Sequence, residues 1–336
     1  MLRNYHDEVR VGLLGFGTVG QGLVQGINLQ INNISRRLGA PLKIQRALVQ
    51  DAKKKRVVGL PELTTDARDI LEDPEIDIVV EVMGGEQPAY SYIKKALGQR
   101  KQVVTANKLL LALHGPELKA LARRNGTGLL YEGSALGGIP ILRTIQRGLC
   151  GDQVEEVKGI FNGTTNFILT RMYELGENYS TALNLAQEAG YAEADPSMDV
   201  SGLDAACKLV ILCRECFDLD VQLKDVTMSG IEHLDKRQII LEKGQGRIPK
   251  LVACAKPNKT EIRVGVEWLP ETDSLSRVSG VQNALSLRTL LAGELFWSGP
   301  GAGGLATGGA VLADVMEAAE RVIMERDRGF VQVGGK

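Results

Sequence analysis

The chain has 336 residues, of which 44% are hydrophobic and 24% charged, and its 40 basic and 41 acidic side chains give a net charge of −1. That balance, without a block of like charge, excludes a nucleic-acid-binding arm, and an aromatic content of 4% excludes a base-stacking platform. No apolar run reaches the roughly 18–20 residues that cross a bilayer, and Met1–Arg10 is too polar for a signal peptide. We therefore expect a cytoplasmic protein with no nucleic-acid or membrane partner.

Strands and helices alternate over the first third of the chain. Short apolar runs predict the strands, and apolar residues at helical spacing predict the helices. The predicted strands are Val9–Leu14, Leu42–Val49, Asp77–Val82, Gln102–Thr105 and Gly128–Tyr131, and the predicted helices are Val19–Leu38, Pro88–Leu97 and Pro116–Arg124. This alternation indicates an α/β domain whose parallel sheet is covered on both faces.

A glycine-rich turn, GFGTVG, joins the first strand to the first helix. Its members are Gly15, Phe16, Gly17, Thr18, Val19 and Gly20. In a GxGxxG turn the first glycine allows the tight bend, the second lets the backbone approach a pyrophosphate, and the third lets the helix pack on the strand. The turn therefore predicts a dinucleotide site, and a purely structural connection is the alternative.

The segment after the second strand, QDAKKKR at 50–56, should meet the ribose of that dinucleotide. Asp51 would bind a free 2′-hydroxyl, whereas Lys53–Arg56 would bind a 2′-phosphate, with Arg56 a candidate coenzyme contact. A solvated charged turn is the third possibility. NAD and NADP both remain open.

Two polar residues follow later strands of the predicted sheet. Lys108, in TANK, lies at the carboxyl edge where open α/β sheets bind ligands, and is either a functional ammonium or a surface lysine. Glu132, in EGSA, offers a carboxylate beside loop carbonyls, which suits a hard cation such as sodium or potassium. Most such loops are only turns.

The regular alternation of strands and helices ends after about residue 135, where a second domain is predicted to begin. The predicted helices are Ile139–Leu149, Thr164–Glu174, Thr181–Ala189 and Gly202–Phe217, and the predicted strands are Val154–Phe161, Arg247–Ala255, Glu261–Trp268 and Val281–Leu287. They suit an α+β domain with a mixed sheet and helices on one side. An amphipathic helix at Leu305–Met324 is expected to return to the first domain.

A polar cluster precedes and enters an apolar helix of this second domain. Asp204 and Lys208 are four residues apart, so on a helix they share a face and can form a hydrogen bond. Glu193 and Asp199 arrive from the adjacent loop, and acids beside a cation suit a substrate that bears an amino group. Reduction of an aldehyde requires a proton for the oxygen as hydride reaches the carbon, and a lysine ammonium can supply it. An ordinary ion pair on the helix surface is the alternative.

Together these segments resemble homoserine dehydrogenase, the family that interconverts aspartate 4-semialdehyde and homoserine in threonine and methionine biosynthesis. The resemblance runs nearly from end to end of the chain. It rests on GFGTVG at 15–20, DIVVEVMGG at 77–85, TANK at 105–108, YEGSALGGIPI at 131–141, GIFNGTTNFIL at 159–169, GYAEADPSMDVSGLDAACK at 190–208 and GPGAGG at 299–304.

The resemblance implies roles for individual residues. Lys208 would donate and accept the proton, with Lys108 and Asp204 as the other catalytic residues. The implied substrate contacts are Glu193, Asp199 and Lys208. The implied coenzyme contacts, besides the glycine-rich turn, are Gly84, Lys108, Gly190, Glu193 and Gly303. A sodium ion is implied at Glu132 and the backbones of Ala135, Gly137 and Ile139.

It also implies the organisation of the chain. A Rossmann-type dinucleotide-binding domain would comprise 1–134 plus 305–336, and 135–304 would bind substrate and pair subunits in a homodimer. A C-terminal regulatory domain that senses threonine, common among relatives, is expected to be absent. Gln50 replaces an arginine that often favours NADP in the family, so the coenzyme preference stays open.

Two other functions are considered. A semialdehyde dehydrogenase that oxidises the aldehyde would need a nucleophilic thiol, for which Cys150 is the candidate. A non-catalytic nucleotide-binding regulator would bind the coenzyme without turnover, and the two lysines, Lys108 and Lys208, disfavour it.

Overall fold

The structure is a computed structural model that describes residues 7–56, 58–59, 61–257 and 261–333, with side chains up to residue 328. The domain limits predicted at residues 1 and 336 lie outside the described residues. The chain divides into two compact units: residues up to Ser134 and from Gly303 form the first unit, and Ala135–Ala302 forms the second unit.

The first unit has a six-stranded parallel sheet in the order β3-β2-β1-β4-β5-β6. Its elements are β1 (Val9–Leu14), α1 (Thr18–Leu38), β2 (Leu42–Leu48), β3 (Glu62–Thr64), α2 (Arg68–Leu71), β4 (Ile78–Glu81), α3 (Ala89–Gly98), β5 (Gln102–Thr105), α4 (Lys108–Asn125) and β6 (Leu129–Leu130). The predicted α/β architecture is confirmed. Strand β3 was not predicted, because three partly exposed residues at a sheet edge give no apolar run.

The start of α4 was predicted wrongly. The helical spacing of apolar residues predicts a helix over Pro116–Arg124. In the structure Pro116 lies inside α4, and the helix begins at Lys108 because the Asn107 side chain caps it by accepting a hydrogen bond from the Leu110 N–H at 3.1 Å. Lys108 is therefore the first residue of a helix with a defined start.

The C-terminal helix, Gly304–Val333, packs closely against α1. A Cβ atom on Gly22 of α1 would lie 1.8 Å from the carbonyl oxygen of Gly304. Only glycine permits this approach, so the contact fixes the first turn of the C-terminal helix beside the glycine-rich turn.

The second unit has a six-stranded mixed sheet in the order β12-β11-β7-β9-β10-β8, with β8 parallel to β10 and the other pairs antiparallel. Its elements are α5 (Ile141–Arg143), β7 (Val154–Ile160), α6 (Gly163–Glu174), α7 (Tyr179–Glu188), α8 (Ser197–Val200), α9 (Leu203–Phe217), β8 (Thr227–Met228), α10 (Lys236–Lys243), β9 (Arg247–Ala255), β10 (Ile262–Pro270), β11 (Gln282–Thr289) and β12 (Gly293–Pro300). The predicted mixed sheet is confirmed, and α6 and α9 pack against β9.

Two local predictions in this unit differ from the structure. The helix predicted at Ile139–Leu149 is one α-helical turn, α5, followed by a π-helical turn at Thr144–Gly148. The Leu149 N–H donates to the Thr144 carbonyl five residues back, which widens the turn. Strand β12 was not predicted, because its side chains remain exposed or half-exposed at the edge of the sheet.

None of the helices in the described part of the chain is long and apolar enough to span a membrane.

Lys250 in β9 is a buried lysine that packs against α6. Its side chain is 2% exposed, and its ammonium donates to the Val278 carbonyl and, at 3.2 Å, to Asn166 Oδ1. Burial lowers the pKa of Lys250 to about 8, although the charge of Glu174 opposes the shift. The folded state therefore prefers the neutral amine more than the unfolded chain does.

This difference predicts how stability depends on pH. Between pH 8 and 10.5 the unfolded chain binds more protons than the folded chain, so raising the pH through this window stabilises the fold, by up to about 3 kcal/mol. The free energy of unfolding of the wild type, minus that of Lys250→Met, should rise from pH 7 to pH 10. Urea denaturation across this range measures it, and a pH-independent difference would contradict the assignment.

Candidate active site

A cleft of about 640 Å³ opens at the carboxyl ends of β1, β2 and β4 in the first unit. Its lining includes Gly15, Phe16, Gly17, Thr18, Gln50, Asp51, Lys54, Lys55, Arg56 and Gly84. Gly15 has φ of +100°, and a Cβ on Gly20 would lie 2.6 Å from the Gly15 carbonyl oxygen. Val19 and Gly20 lie behind the turn in the start of α1. The cleft thus has the glycine turn and helix N-terminus that accommodate a pyrophosphate.

The charged turn after β2 forms one side of the cleft. The Arg56 guanidinium lies 5.7 Å from the centroid of the Phe16 ring. It donates to the carbonyls of Lys54 and Asp51 at 2.8 and 2.9 Å. These contacts hold Arg56 in the cleft rather than in open solvent.

Glu81, the last residue of β4, is a buried carboxylate that the sequence did not single out. It accepts hydrogen bonds from the N–H groups of Met83 and Gly84 at 2.8 and 3.3 Å, and from Thr105 Oγ1 at 2.6 Å. Burial raises the pKa of Glu81, and the hydrogen bonds it accepts oppose that shift. Its carboxylate fixes the backbone of the cleft at Met83–Gly84 to the end of β5.

The position of Lys108 is set by the hydrogen bonds of the residue before it, Asn107. The Asn107 N–H donates to Thr105 Oγ1 at 3.0 Å, and the Asn107 side chain donates to the Gly85 carbonyl at 2.6 Å. The backbone of the partly exposed Lys108 is therefore fixed relative to the Gly84–Gly85 turn.

The residues predicted to hold sodium belong to the end of the first unit and the start of the second unit. Glu132 is 3% exposed, and its N–H donates to the buried Asp314 carboxylate at 2.7 Å. Ala135 and Ile139 are buried. Gly137 has φ of +61°, and a Cβ there would lie 2.4 Å from the Gly301 carbonyl oxygen.

Lys208 is buried in the second unit, on α9. It is 7% exposed, and Asp204 is 3% exposed. The Lys208 ammonium donates to Asp204 Oδ2 at 2.8 Å and to the Phe161 carbonyl at 2.7 Å, and the latter also accepts from Asn283 at 3.1 Å. The predicted hydrogen bond is present, and burial excludes a surface ion pair.

Asn162 connects this pair to a further acid. Its Nδ2 donates to Asp199 Oδ1 at 2.7 Å and to Asp204 Oδ2 at 2.9 Å. Sequence reasoning missed Asn162, because its contacts reach residues about forty positions away, although a strand-to-helix asparagine is a recognisable cap signal.

The remaining predicted residues lie on loops. Glu193 is exposed, and its backbone carbonyl accepts from the Gln187 side chain at 3.1 Å. Gly190, with φ of +74°, ends the turn after α7. Gly303, with φ of +124°, precedes the C-terminal helix in the first unit. The structure thus joins Lys208, Asp204 and Asp199 in one network through Asn162, and the hydrogen bonds of the described residues do not bring Glu193 into it.

The buried thiols Cys213 and Cys254 do not resemble an activated nucleophile. Cys150 is exposed, and its Sγ lies 3.2 Å from the Arg147 carbonyl. Burial raises the pKa of Cys213 to about 12 and that of Cys254 to about 11, opposite to the shift that generates a reactive thiolate.

Two family models match the chain. One, described as homoserine dehydrogenase, matches residues 140–316, and the other, described as the homoserine dehydrogenase NAD binding domain, matches residues 15–132. Homoserine dehydrogenase of Bacillus subtilis (strain 168) is 43% identical over 312 residues, which are 92% of this chain and 72% of the relative. The Helicobacter pylori enzyme is 38% identical over 94% of this chain and 74% of its own length.

Solved structures show the same similarity. The crystal structure of a homoserine dehydrogenase from Thiobacillus denitrificans matches with a TM-score of 0.90 and 38% identity, over 93% of this chain and 73% of that one. A hyperthermophilic archaeal homoserine dehydrogenase in complex with NADPH matches with a TM-score of 0.78 and 28% identity, over 94% of this chain and 98% of that one.

Proposed function

The chain belongs to the homoserine dehydrogenase family, and we propose that Lys208 is the acid and base of its reaction. The enzyme is an oxidoreductase that interconverts L-aspartate 4-semialdehyde and L-homoserine with a nicotinamide dinucleotide. The observation that supports this role most directly is that the Lys208 ammonium is buried and donates hydrogen bonds to Asp204 and to the Phe161 carbonyl. We place the reaction in threonine and methionine biosynthesis.

The chemistry requires a proton at the substrate oxygen. A reduced coenzyme held in the cleft would supply the hydride for the aldehyde carbon, and the substrate oxygen would then become negatively charged unless it is protonated. Lys208 can donate this proton as the charge develops. Asp204 stabilises the ammonium and restricts its orientation, since a buried cation needs a partner. In the reverse direction the neutral amine accepts the proton.

Two acids of the second unit, Asp199 and Glu193, suit a substrate with an amino group. We propose that Asp199, which is partly exposed, and Glu193, on the exposed loop before α8, bind the substrate ammonium. Lys108, at the carboxyl edge of the first unit's sheet, is the second proposed catalytic lysine. Gly190 and Gly303 are proposed contacts of the nicotinamide half.

We propose NADP as the preferred coenzyme. Lys54, Lys55 and Arg56 line the cleft, against the single acid Asp51. The Asp51 carboxylate also accepts a hydrogen bond from the Lys53 N–H at 2.8 Å, which engages it in its own turn. Three cations at the ribose end favour a 2′-phosphate.

A monovalent cation, sodium, is proposed at Glu132 and the backbone carbonyls of Ala135, Gly137 and Ile139. Carboxylate and carbonyl oxygens are the ligands that hard cations prefer, and Glu132 is a buried carboxylate.

Exchange of sodium for choline tests this site. It should lower the melting temperature and the activity together, and unchanged values would remove the proposal.

A homodimer formed through the second unit, located in the cytoplasm, is also proposed. The hairpin of β11 and β12 exposes Leu290, Leu291 and Phe296 by 61%, 75% and 40%, an apolar surface that a second copy would cover. Light scattering during gel filtration measures the assembly, and a monomer mass would contradict it.

Substitution of Lys208 tests the central proposal. Lys208→Met should lower kcat for homoserine oxidation by about 10²–10⁴, because the proton acceptor is lost. Coenzyme affinity, measured by fluorescence titration, should be unchanged. Lys250→Met is a matched control, since it removes a second buried lysine of the same unit that also donates to a backbone carbonyl.

Near-normal turnover of Lys208→Met would refute the assignment. A wild-type chain that binds coenzyme and does not oxidise homoserine would instead be a regulator. Phosphate-dependent aldehyde oxidation that thiol reagents abolish would indicate the semialdehyde dehydrogenase.

Substitution of Arg56 tests the coenzyme proposal. Arg56→Ala should raise KM for NADP about tenfold more than KM for NAD, because a charge-assisted hydrogen bond contributes about 1.5–3 kcal/mol. The ratio of the two KM values cancels any general disturbance of the turn. Lys53→Ala, a neighbouring cation that does not line the cleft, is the control. Equal effects on both coenzymes would refute the 2′-phosphate contact.

A further inference from the structure

The amide of Asn162 lies between Asp204, which accepts from the proposed catalytic lysine, and Asp199. Asn162 is 4% exposed and occupies the junction between β7 and α6. Its Nδ2 group donates one hydrogen bond to Asp199 and one to Asp204, at 2.7 and 2.9 Å. One neutral group therefore joins a proposed substrate ligand to the residue that holds Lys208.

The orientation of this amide is fixed by the hydrogen bonds of its oxygen, Oδ1. Asn162 Oδ1 accepts hydrogen bonds from the Thr165 N–H at 2.8 Å and from Thr165 Oγ1 at 3.0 Å. A backbone N–H can only donate, so the oxygen must face α6 and the NH₂ group must face the two carboxylates. The helix cap and the bridge are thus made by the same side chain in one orientation.

Asn162 also influences both acceptors of the lysine. Asp204 Oδ2 accepts from Asn162 and from Lys208, so the amide fixes the oxygen on which the ammonium rests. The other acceptor is the Phe161 carbonyl, which belongs to the peptide group that enters Asn162. The cap conformation of Asn162 therefore orients that peptide group as well.

We propose that Asn162 is a positioning residue of the reaction, which sets the place of the Lys208 ammonium through Asp204 and the place of the substrate-binding carboxylate of Asp199. The inference rests on the proposed role of Lys208. Asn162 acts through these residues rather than by contact with the reacting atoms.

An amide suits this position for electrostatic reasons. A carboxylate would cap α6 equally well, but it would repel two nearby carboxylates. A lysine or arginine would offer donors, but its charge would compete with Lys208 for Asp204. A serine would cap the helix, but one hydroxyl hydrogen cannot serve both acids. Asparagine alone among the good caps donates twice without adding charge.

The test compares two asparagine caps. Asn178 caps α7 as Asn162 caps α6, and each accepts a backbone N–H three residues on at 2.8 Å, but Asn178 is exposed and contacts neither acid. Serine retains the cap in both positions. Asn162→Ser should lower kcat about 10- to 100-fold and raise KM for homoserine, because the lysine and the substrate ligand are misplaced. KM for the coenzyme should stay constant, and Asn178→Ser should match the wild type.

Asn162→Asp provides the second arm. It retains the cap and adds a third carboxylate, so its loss of kcat should exceed that of Asn162→Ser, while Asn178→Asp should be neutral. Normal kcat and homoserine KM in Asn162→Ser would overturn the inference. So would losses that extend equally to the coenzyme KM, or a melting temperature far below that of Asn178→Ser, since these indicate a folding defect.

The outcome is separable from that of the proposed function. If Lys208→Met remains active, the catalytic assignment itself fails. If Lys208→Met is inactive and Asn162→Ser is normal, only the positioning role of Asn162 fails.

Discussion

Burial of one positive charge, the Lys208 ammonium, is the constraint on which the second unit depends. An ammonium removed from water is costly unless ionic and hydrogen-bonding partners replace its hydration. Here the partners come from different elements: Asp204 from α9 itself and the Phe161 carbonyl from the end of β7. Strand β11 contributes Asn283, which holds the same carbonyl. A lysine that requires acceptors from strand and helix cannot keep its position unless those elements pack correctly.

The first unit contains a buried acidic group, the Glu81 carboxyl, that also needs hydrogen-bonding partners. Glu81 is fully buried at the end of β4, and its carboxylate is satisfied by two backbone N–H groups and Thr105. Asn107 extends these bonds to the Gly85 carbonyl and to the start of α4, where Lys108 stands. The buried carboxyl group of Glu81 therefore keeps the Met83–Gly85 backbone and the start of α4 in one arrangement. In each unit an asparagine that caps a helix also connects that helix to a buried acid: Asn107 links α4 to Glu81 through Thr105, and Asn162 links α6 to Asp204.

Interactions that are local in sequence could be predicted, and those that depend on long-range pairing could not. The four-residue spacing of Asp204 and Lys208 was enough to predict their bond, and GxGxxG after an apolar strand was enough to predict the turn. Asn162 escaped because the two acids it contacts lie about forty residues further on. Glu81 escaped because its contact with Thr105 depends on the pairing of two strands. The helix predicted over Pro116–Arg124 began too late, because the Asn107 cap sets the start of α4 at Lys108. Edge strand β12 escaped because its period-two pattern has no buried face.

The second unit contains an internal comparison that clarifies the role of Asp204. Lys208 and Lys250 are both buried, and each donates to a backbone carbonyl. Lys250 adds only a neutral amide oxygen, and its pKa falls to about 8 because burial disfavours the charge. Lys208 instead adds a carboxylate at 2.8 Å, which stabilises the charged form through its opposite charge. Burial on neutral acceptors lowers the pKa of Lys250, whereas a proton donor must retain its proton until the substrate oxygen becomes basic. The carboxylate is therefore the feature that separates a lysine suited to donate a proton from one that is only buried.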